Sequence, residues 1–295
     1  MQLQGSITAL TTPFDAAGQL DLTAWRAQIE RQLDAGTAAV VVAGSTGEAA
    51  TLSDAEYAQL IESAAACVGK RIPVLAGTGL SSTAKTIAQT KLAQDSGADI
   101  ALVVTPPYVR PTQAGLLAHY RAVADAAGIP VVLYNVPGRT GCDMQPDTVA
   151  ALAPHANIIG LKEAVGDEGR WAALYPLAGP GFSLLSGDDP TFVRAMAGGA
   201  QGVISVASNV VPATFAAICR LLRDDNLAGA QVLDARLRGL YDFLGVEPNP
   251  VPVKALMRLQ GYGQDLRLPL LPLSDAHRAE ALRMAELCNT VEQSI

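Results

Sequence analysis

The chain has few of the residues that metal sites, disulfide frameworks and nucleic-acid surfaces need. It has 3 histidines and 4 cysteines in 295 residues, and no C-x-x-C pair. Neither a zinc site nor a disulfide scaffold is therefore expected. Its net charge of −7 argues against a nucleic-acid partner. We expect reduced cysteines in a cytoplasmic protein without a metal.

Long hydrophobic runs are missing too, although hydrophobic residues make up 49% of the chain. A membrane span needs about 18 or more consecutive apolar residues, and no such run occurs. The N-terminal sequence MQLQGSITAL lacks both a basic start and an apolar centre. We therefore expect no membrane contact and no signal peptide, but a chain long enough to bury a sizeable core.

Short apolar segments rich in Val, Ile and Leu alternate with longer amphipathic ones, and this pattern is typical of strands that helices bury on both faces. The predicted strands are Ile7–Leu10, Ala39–Ala43, Val74–Ala76, Ile100–Val104, Val131–Tyr134, Ile158–Leu161, Ser183–Leu185 and Gly202–Val206. The clearest predicted helices are Leu22–Ala35, Asp54–Val68, Thr83–Ser96 and Thr112–Ala127. Eight strand–helix units favour an α/β fold of the (β/α)8 TIM barrel type. The alternative, a doubly wound open sheet, lacks a G-x-G-x-x-G after its first strand.

After about Leu222 the strand pattern stops, and only helices are predicted. They cover Leu227–Leu244, Val253–Gln260 and Ser274–Cys288. We expect a catalytic barrel over residues 1–224 and a C-terminal helical segment packed on it over residues 225–295.

Catalytic groups of such a barrel lie at the carboxyl ends of its strands. Of the lysines, Lys162 alone ends a predicted strand. Lysine is rarely buried unless it is paired or catalytic, and a desolvated amine can form a Schiff base with a carbonyl. The alternatives are a lysine that extends to solvent and one that pairs with Glu163.

The second and fifth strands end in further candidates. Ser45 and Thr46 lie between glycines and suit a small carboxylate or phosphate, or they cap the next helix. Tyr134 can transfer a proton through its hydroxyl. Arg139, which follows a Pro-Gly pair, either binds a substrate carboxylate through two N–H groups or is a solvated turn residue.

The pattern leaves the roles of three other groups open. Tyr108 follows the fourth strand between prolines and is either functional or part of an interface. Asp188 and Asp189 after the seventh strand can serve as general acid and base, but capping of the next helix is the simpler interpretation. Lys254, in a proline-rich run before a helix, is interpreted as structural.

Together these segments resemble the 4-hydroxy-tetrahydrodipicolinate synthase family, also called dihydrodipicolinate synthases. This family is one of the pyruvate-dependent class I aldolases, which include N-acetylneuraminate lyase. The resemblance runs from about Gly5 to about Leu287. GSTGE, the lysine of GLKEA and YNVP are common to the superfamily. TPPY, NVPGRTG, SGDD, GVISV and VEPNPVPVK in combination are more specific to the synthases.

The resemblance implies that pyruvate condenses with L-aspartate-4-semialdehyde through a Schiff base on Lys162, in the diaminopimelate route to lysine. No metal or other cofactor is implied. Tyr134, Ser45 and Tyr108 form the implied proton relay, with Tyr108 supplied by a neighbouring subunit of a homotetramer. The implied substrate-binding residues are Thr46 (pyruvate carboxylate), Ile204 (backbone carbonyl facing pyruvate), Arg139 (carboxylate of the semialdehyde) and Gly187.

Two other functions stay open. A different pyruvate-dependent aldolase, acting on N-acetylneuraminate or a 2-keto-3-deoxy sugar acid, would keep Lys162 and Tyr134 but would not need Arg139. A sensor that binds a keto acid without catalysis would not need Lys162. Ser45 stands where threonine is commoner among the synthases, and it keeps the hydroxyl.

The residues that match the lysine-binding set of feedback-inhibited family members are Ala49, Asp54, Tyr57, Ser81, Lys85 and Pro107. Inhibited members often carry a glutamate where this chain has Lys85, and Pro107 replaces an aromatic residue. Because the Lys85 ammonium repels the ammonium of a bound lysine, we predict weak or absent inhibition by L-lysine. Initial rates measured with added L-lysine test this, and inhibition at sub-millimolar concentration would show the prediction to be wrong.

Overall fold

The computed structural model describes residues 2–295 and contains a closed barrel of parallel strands. The strands follow one another around the barrel in chain order, and the first also pairs with the last. They are β1 (Gly5–Ala9), β2 (Ala39–Val42), β3 (Val74–Gly77), β4 (Ile100–Val104), β5 (Val131–Asn135), β6 (Ile158–Glu163), β7 (Ser183–Ser186) and β8 (Gly202–Ser205). Each overlaps a predicted strand, so the (β/α)8 TIM barrel is confirmed.

Helices surround the barrel between the strands. They are α1 (Leu22–Asp34), α2 (Asp54–Val68), α3 (Thr83–Asp95), α4 (Gln113–Ala126), α5 (Pro137–Thr140), α6 (Pro146–Leu152), α7 (Glu168–Leu174), α8 (Phe192–Gly198) and α9 (Pro212–Arg223). Local sequence sets their ends. At the start of α2, for example, the Ser53 hydroxyl accepts from the Glu56 N–H and the Glu56 carboxylate accepts from the Ser53 N–H. This reciprocal cap satisfies two backbone donors that have no partner inside the helix.

Side chains that alternate along each strand fill the barrel on one side and contact helices on the other. The inward side chains include Ile7, Val41, Leu75, Leu102, Val132 and Leu185, which form one buried apolar cluster. The outward ones join a larger cluster with the helices. Both faces of the strands are therefore buried from solvent, which explains why their sequences are almost continuously apolar.

The C-terminal helices are α10 (Leu227–Ala235), α11 (Arg238–Leu244), α12 (Val251–Leu259) and α13 (Arg278–Glu292). The prediction of one helix over Leu227–Leu244 is wrong, because the chain turns at Arg236 and Leu237. Leu237 is buried at this turn, and the Tyr241 hydroxyl donates to Asp234 across it at 2.9 Å. Helical periodicity signals neither this burial nor this hydrogen bond.

No helix in residues 2–295 is both long enough and apolar enough to cross a bilayer.

A buried ion pair joins the C-terminal helices to the barrel. Lys254 on α12 donates to the carboxylate of Glu48, which follows β2, and the two side chains are 4% and 0% exposed. Lys254 also donates to the Asp265 carbonyl at 3.0 Å, and the Arg267 N–H donates to Glu48 at 3.1 Å. These contacts agree with the structural interpretation of Lys254.

We propose that residues 225–295 fold together with the barrel, and the ion pair provides a test. Replacing Lys254 by methionine leaves the Glu48 carboxylate buried and unpaired, which we expect to lower the free energy of unfolding by about 3–5 kcal/mol. The double variant Glu48→Gln/Lys254→Met removes both charges and should recover much of this loss. Urea unfolding followed by circular dichroism measures both and should show one transition.

The matched control is Lys91→Met, because Lys91 pairs with Asp95 but is 72% exposed. Exposed pairs contribute about 0–1 kcal/mol, so its midpoint should barely move. Equal midpoints for Lys254→Met and Lys91→Met would contradict the role given to the buried pair.

Candidate active site

A cavity of about 460 Å³ opens at the carboxyl ends of the strands. Five residues predicted from the strand ends line it: Ser45, Thr46, Tyr134, Arg139 and Lys162. They come from the segments after β2 and β5 and from β5 and β6 themselves. The barrel therefore brings together groups that lie more than a hundred residues apart in the sequence.

The Lys162 amine lies on the face of the Tyr134 ring. The two residues are paired in register on β6 and β5, and the Lys162 Nζ is 4.3 Å from the ring centroid. Both side chains are nearly buried, at 6% and 8% exposure. The alternative in which Lys162 extends to solvent is therefore wrong, and the amine is held beside a phenol at the wall of the cavity.

The alternative pairing of Lys162 with Glu163 is also wrong. Successive side chains of a strand point to opposite faces, so Glu163 lies outside the barrel when Lys162 lies inside. There its carboxylate accepts from Arg170 at 3.2 Å and from Asn135 at 3.1 Å. Among residues 2–295, no carboxylate lies within 4.0 Å of the Lys162 amine.

The hydroxyls after β2 do not cap a helix. Ser45 lines the cavity and is exposed, whereas Thr46 is buried. The cap of α2 is Ser53 instead. Both hydroxyls are thus left for other partners, and the Thr46 Oγ1 accepts from the Asn249 side-chain amide at 3.0 Å.

Asn249 is a site residue that sequence reasoning missed. Its backbone carbonyl accepts from Arg139 Nη2 at 2.8 Å, while its side chain donates to Thr46. Its Oδ1 atom is buried without a hydrogen-bond partner. Asn249 therefore connects the two groups predicted to bind carboxylates. The sequence indicated it only through its position in the proline-rich run VEPNPVPVK, of which Lys254 alone was considered.

Gly187 lies against the Lys162 side chain, but neither Gly187 nor Ile204 is among the residues that line the cavity. A Cβ atom at Gly187 would lie 2.7 Å from the Lys162 Cε, which is closer than real Cβ atoms come to other atoms. Ile204 is buried in the barrel interior, in the same apolar cluster as Tyr134. Glycine at position 187 therefore leaves the room that the Lys162 side chain occupies.

Tyr108 does not reach the cavity of its own chain. Its side chain is 92% exposed, and its backbone has a φ of +73°. The backbone N–H of Tyr108 donates to the Thr140 carbonyl at 3.1 Å. This positive φ is uncommon for a residue with a side chain, and it places the phenol in solvent.

The capping role expected of the two aspartates after β7 is wrong: Asp188 precedes the short 3-10 turn Asp189–Thr191, but neither side chain caps this turn or α8. The Asp189 Oδ2 accepts from the backbone N–H groups of Val206 and Ala207 at 3.1 and 2.8 Å, which fixes the end of β8. Burial raises the pKa of Asp189 to about 6. The Asp188 carboxylate accepts from the Thr191 hydroxyl at 2.5 Å.

The groups that line the cavity include the Lys162 amine, the Tyr134 phenol, the Ser45 and Thr46 hydroxyls and the Arg139 guanidinium, together with Asp54, Tyr57, Gln89 and Thr140. An amine in a cavity of low polarity can add to a carbonyl carbon, and a phenol beside it can exchange the protons that this addition moves. A guanidinium and hydroxyls suit the carboxylates of small acids. The arrangement fits imine chemistry on a keto acid. Within residues 2–295, no three His, Cys, Asp or Glu side chains are grouped to hold a metal ion.

Comparison with known proteins places the chain in a family. The profile of the dihydrodipicolinate synthetase family matches residues 2–287. A relative from Stenotrophomonas maltophilia K279a, named 4-hydroxy-tetrahydrodipicolinate synthase, is 61% identical over 97% of this chain and 96% of its own. A crystal structure of the chloride-inhibited dihydrodipicolinate synthase from Acinetobacter baumannii, complexed with pyruvate, matches with a TM-score of 0.95 at 40% identity, covering 98% of this chain and 99% of that one.

A structure described as the first monomeric dihydrodipicolinate synthase variant also matches. Its TM-score is 0.91 at 38% identity, over 99% of this chain and 96% of that one. The family profile, the relative and the two structures each match nearly the whole length of this chain. The chain belongs to the dihydrodipicolinate synthetase family.

Proposed function

We propose that this chain is a 4-hydroxy-tetrahydrodipicolinate synthase that condenses pyruvate with L-aspartate-4-semialdehyde. The observation that carries the proposal is the buried Lys162 amine on the Tyr134 ring, in one cavity with Arg139. The name of the relative that is 61% identical supports the same reaction. A sugar-acid aldolase would need the amine and the phenol but would have no use for Arg139.

In the first half of the reaction, the neutral Lys162 amine adds to the keto carbon of pyruvate. The resulting carbinolamine loses water and leaves an iminium ion. The iminium withdraws electrons from the adjacent methyl group, which loses a proton and becomes the nucleophilic carbon of an enamine. Tyr134 is the group placed to accept and return protons beside the amine. The lysine supplies the covalent chemistry, so no external cofactor is required.

In the second half, the enamine carbon attacks the aldehyde carbon of the semialdehyde, and a new carbon–carbon bond forms. The aldehyde oxygen becomes an alkoxide, which takes a proton from Tyr134. The amino group of the semialdehyde then adds to the iminium carbon, and the ring closes as the Lys162 amine leaves. Ser45 and Tyr108 are proposed to relay the proton from solvent back to Tyr134.

The two carboxylates have separate binding groups in this proposal. Thr46 and the backbone of Ser45 bind the carboxylate of pyruvate. Arg139, exposed at the rim, binds that of the semialdehyde. Asn249 contacts both Thr46 and Arg139, and this contact fixes the spacing between the two carboxylate groups. The backbone carbonyl of Ile204 and the space at Gly187 form the remaining walls around pyruvate.

The proposed relay also requires an assembly. The phenol of Tyr108 is almost fully exposed and lines no part of its own chain's cavity. A second copy of the chain must therefore insert this tyrosine if the relay is to be complete. We propose at least a dimer, and a homotetramer as a pair of such dimers.

The decisive measurement is turnover of the purified protein with pyruvate and L-aspartate-4-semialdehyde, coupled to a reductase that consumes the cyclic product. We expect turnover in the wild type and none in Lys162→Ala. Borohydride reduction with pyruvate should trap an adduct on Lys162, because borohydride reduces an imine to a stable amine.

Arg139→Ala separates this function from its alternatives. Hydrogen bonds to charged groups contribute about 1.5–3 kcal/mol, so KM for the semialdehyde should rise about 10- to 100-fold while pyruvate trapping stays intact. A trapped adduct without wild-type turnover would instead favour a sugar-acid aldolase. A wild type that forms no adduct would favour a binding protein.

The space at Gly187 generates a further prediction. In Gly187→Ala the new methyl group displaces the Lys162 side chain, and a misplacement of about 1 Å can cost 100-fold in rate. We expect kcat to fall by about 10- to 100-fold with little change in the melting temperature. Gly181→Ala is the control, because a Cβ there meets no atom within 4 Å. Wild-type kcat in Gly187→Ala would contradict the assigned contact.

A further inference from the structure

A network of charged and polar side chains lies on the outside of the barrel, directly behind the Lys162–Tyr134 pair. The register of β5 and β6 pairs Tyr134 with Lys162 and then Asn135 with Glu163. Because side chains alternate along a strand, the second pair faces outward wherever the first faces the cavity. Lys162 and Tyr134 are therefore each joined by one peptide bond to a member of the outer pair.

The outer pair is fully hydrogen-bonded. The Asn135 Nδ2 donates to both carboxylate oxygens of Glu163, at 3.1 and 3.2 Å, and to Asp143 at 2.9 Å. Its Oδ1 accepts from the Met144 N–H at 2.9 Å. The amide of Asn135 is thus fixed in one orientation, and it connects the ends of two strands to the segment that follows α5.

Arg170 on α7 closes the network. Its Nη1 donates to Glu163 at 3.2 Å and to the Met144 carbonyl at 2.9 Å, while its Nη2 donates to Asp143 at 2.5 Å. The backbone N–H of Val165 donates to Glu163 at 2.9 Å. The Glu163 side chain is entirely buried. Every hydrogen-bond partner of its carboxylate is therefore a donor.

A carboxylate whose hydrogen-bond partners are all donors is stabilised in its ionised form. When protonated it would carry an O–H that needs an acceptor, and Asn135, Arg170 and Val165 offer none. Protonation would thus break at least one of these contacts. The Glu163 backbone carbonyl also accepts from the Gly187 N–H at 2.7 Å, so a shift at Glu163 reaches the glycine that leaves room for Lys162.

We propose that Glu163 is a positioning residue whose ionised carboxylate, held by Asn135 and Arg170, keeps Lys162 and Tyr134 in their reactive arrangement. This inference rests on the proposed function, because it concerns the pair to which imine chemistry is assigned there. Glu163 touches no substrate and acts through the backbone of β6. Its role is therefore expected in the rate of imine formation and not in the binding of the second substrate.

The charge state of Glu163 can change near neutral pH. Burial raises its pKa to about 7, against the opposing effect of Arg170. The charged groups that face it are Arg170 from α7 and Asp143 from the segment after α5. β5 contributes the neutral Asn135, and β7 has the uncharged Ser186 at the matching register position. Since Asp143 raises the pKa of Glu163, removal of its charge should lower that pKa.

The test is the pH dependence of imine formation, measured as the rate of borohydride trapping with pyruvate, and of kcat with both substrates. In the wild type both should fall as the pH drops through about 7, as Glu163 becomes protonated. Glu163→Gln should lower both rates by about 10- to 100-fold and leave KM for the semialdehyde near its wild-type value. It should also abolish the fall in rate below about pH 7, which is the acid limb of the pH profile. Asp143→Asn should move the limb to lower pH.

The control is Asp234→Asn, a second buried carboxyl with a raised pKa, which lies on α10 and accepts from Tyr241. It should keep the wild-type limb even if it lowers the melting temperature. An unchanged limb in Glu163→Gln, or its loss in Asp234→Asn as well, would overturn the inference. If Glu163→Gln does not fold, Asp143→Asn decides, and an unmoved limb there refutes the proposal.

The two proposals fail in different experiments. Absence of wild-type turnover with the semialdehyde defeats the proposed function, whereas the trapping rates with pyruvate alone still test Glu163. Absence of any wild-type adduct defeats both.

Discussion

The alternation of side chains on two adjacent parallel strands is the constraint on which the site depends. Because β5 and β6 pair Tyr134 with Lys162, a phenol and an amine meet on the inner face. The same register places Asn135 and Glu163 on the outer face, where helices exclude water. A slip of one residue in either strand would exchange the two faces. The pair proposed to react and the network behind it are therefore two consequences of one register.

Buried charged groups have charged partners on the outer face of these strands, whereas Lys162 on the inner face has none in the described part of the chain. On the outer face, Glu163 is compensated by Arg170, and farther around the barrel Glu48 is compensated by Lys254. Buried charges that lack a partner are costly, so such pairing is expected of structural groups. Lys162 faces an aromatic ring without a carboxylate within 4.0 Å among residues 2–295. Lys254 also lies over an aromatic ring, that of Phe14. The missing carboxylate is therefore what distinguishes the lysine proposed to react from the structural one.

The C-terminal segment contributes to the site as well as covering the barrel. Asn249 connects Thr46 with Arg139, and Lys254 is anchored five residues later by its buried ion pair. The ion pair is thus close in sequence to the residue that sets the spacing of two proposed carboxylate sites. Both the Asn249–Thr46 contact and the Lys254–Glu48 ion pair depend on how the same segment packs on the loop after β2.

The sequence by itself determined the eight strands, the barrel and the strand-end residues Lys162, Tyr134 and Ser45–Thr46. These follow from local periodicity and from the rule that barrel sites lie where strands end. Only the tertiary structure decided which polar groups meet across long separations. Glu48 and Lys254 are 206 residues apart, and Thr46 and Asn249 are 203 apart. Such contacts depend on closure of the barrel and on the packing of the last helices, which no local window of sequence contains. The contacts of Tyr241 with Asp234 and of Arg170 with Glu163 join residues only seven apart. They could not be predicted because periodicity indicates which face a side chain occupies and not which partner it binds.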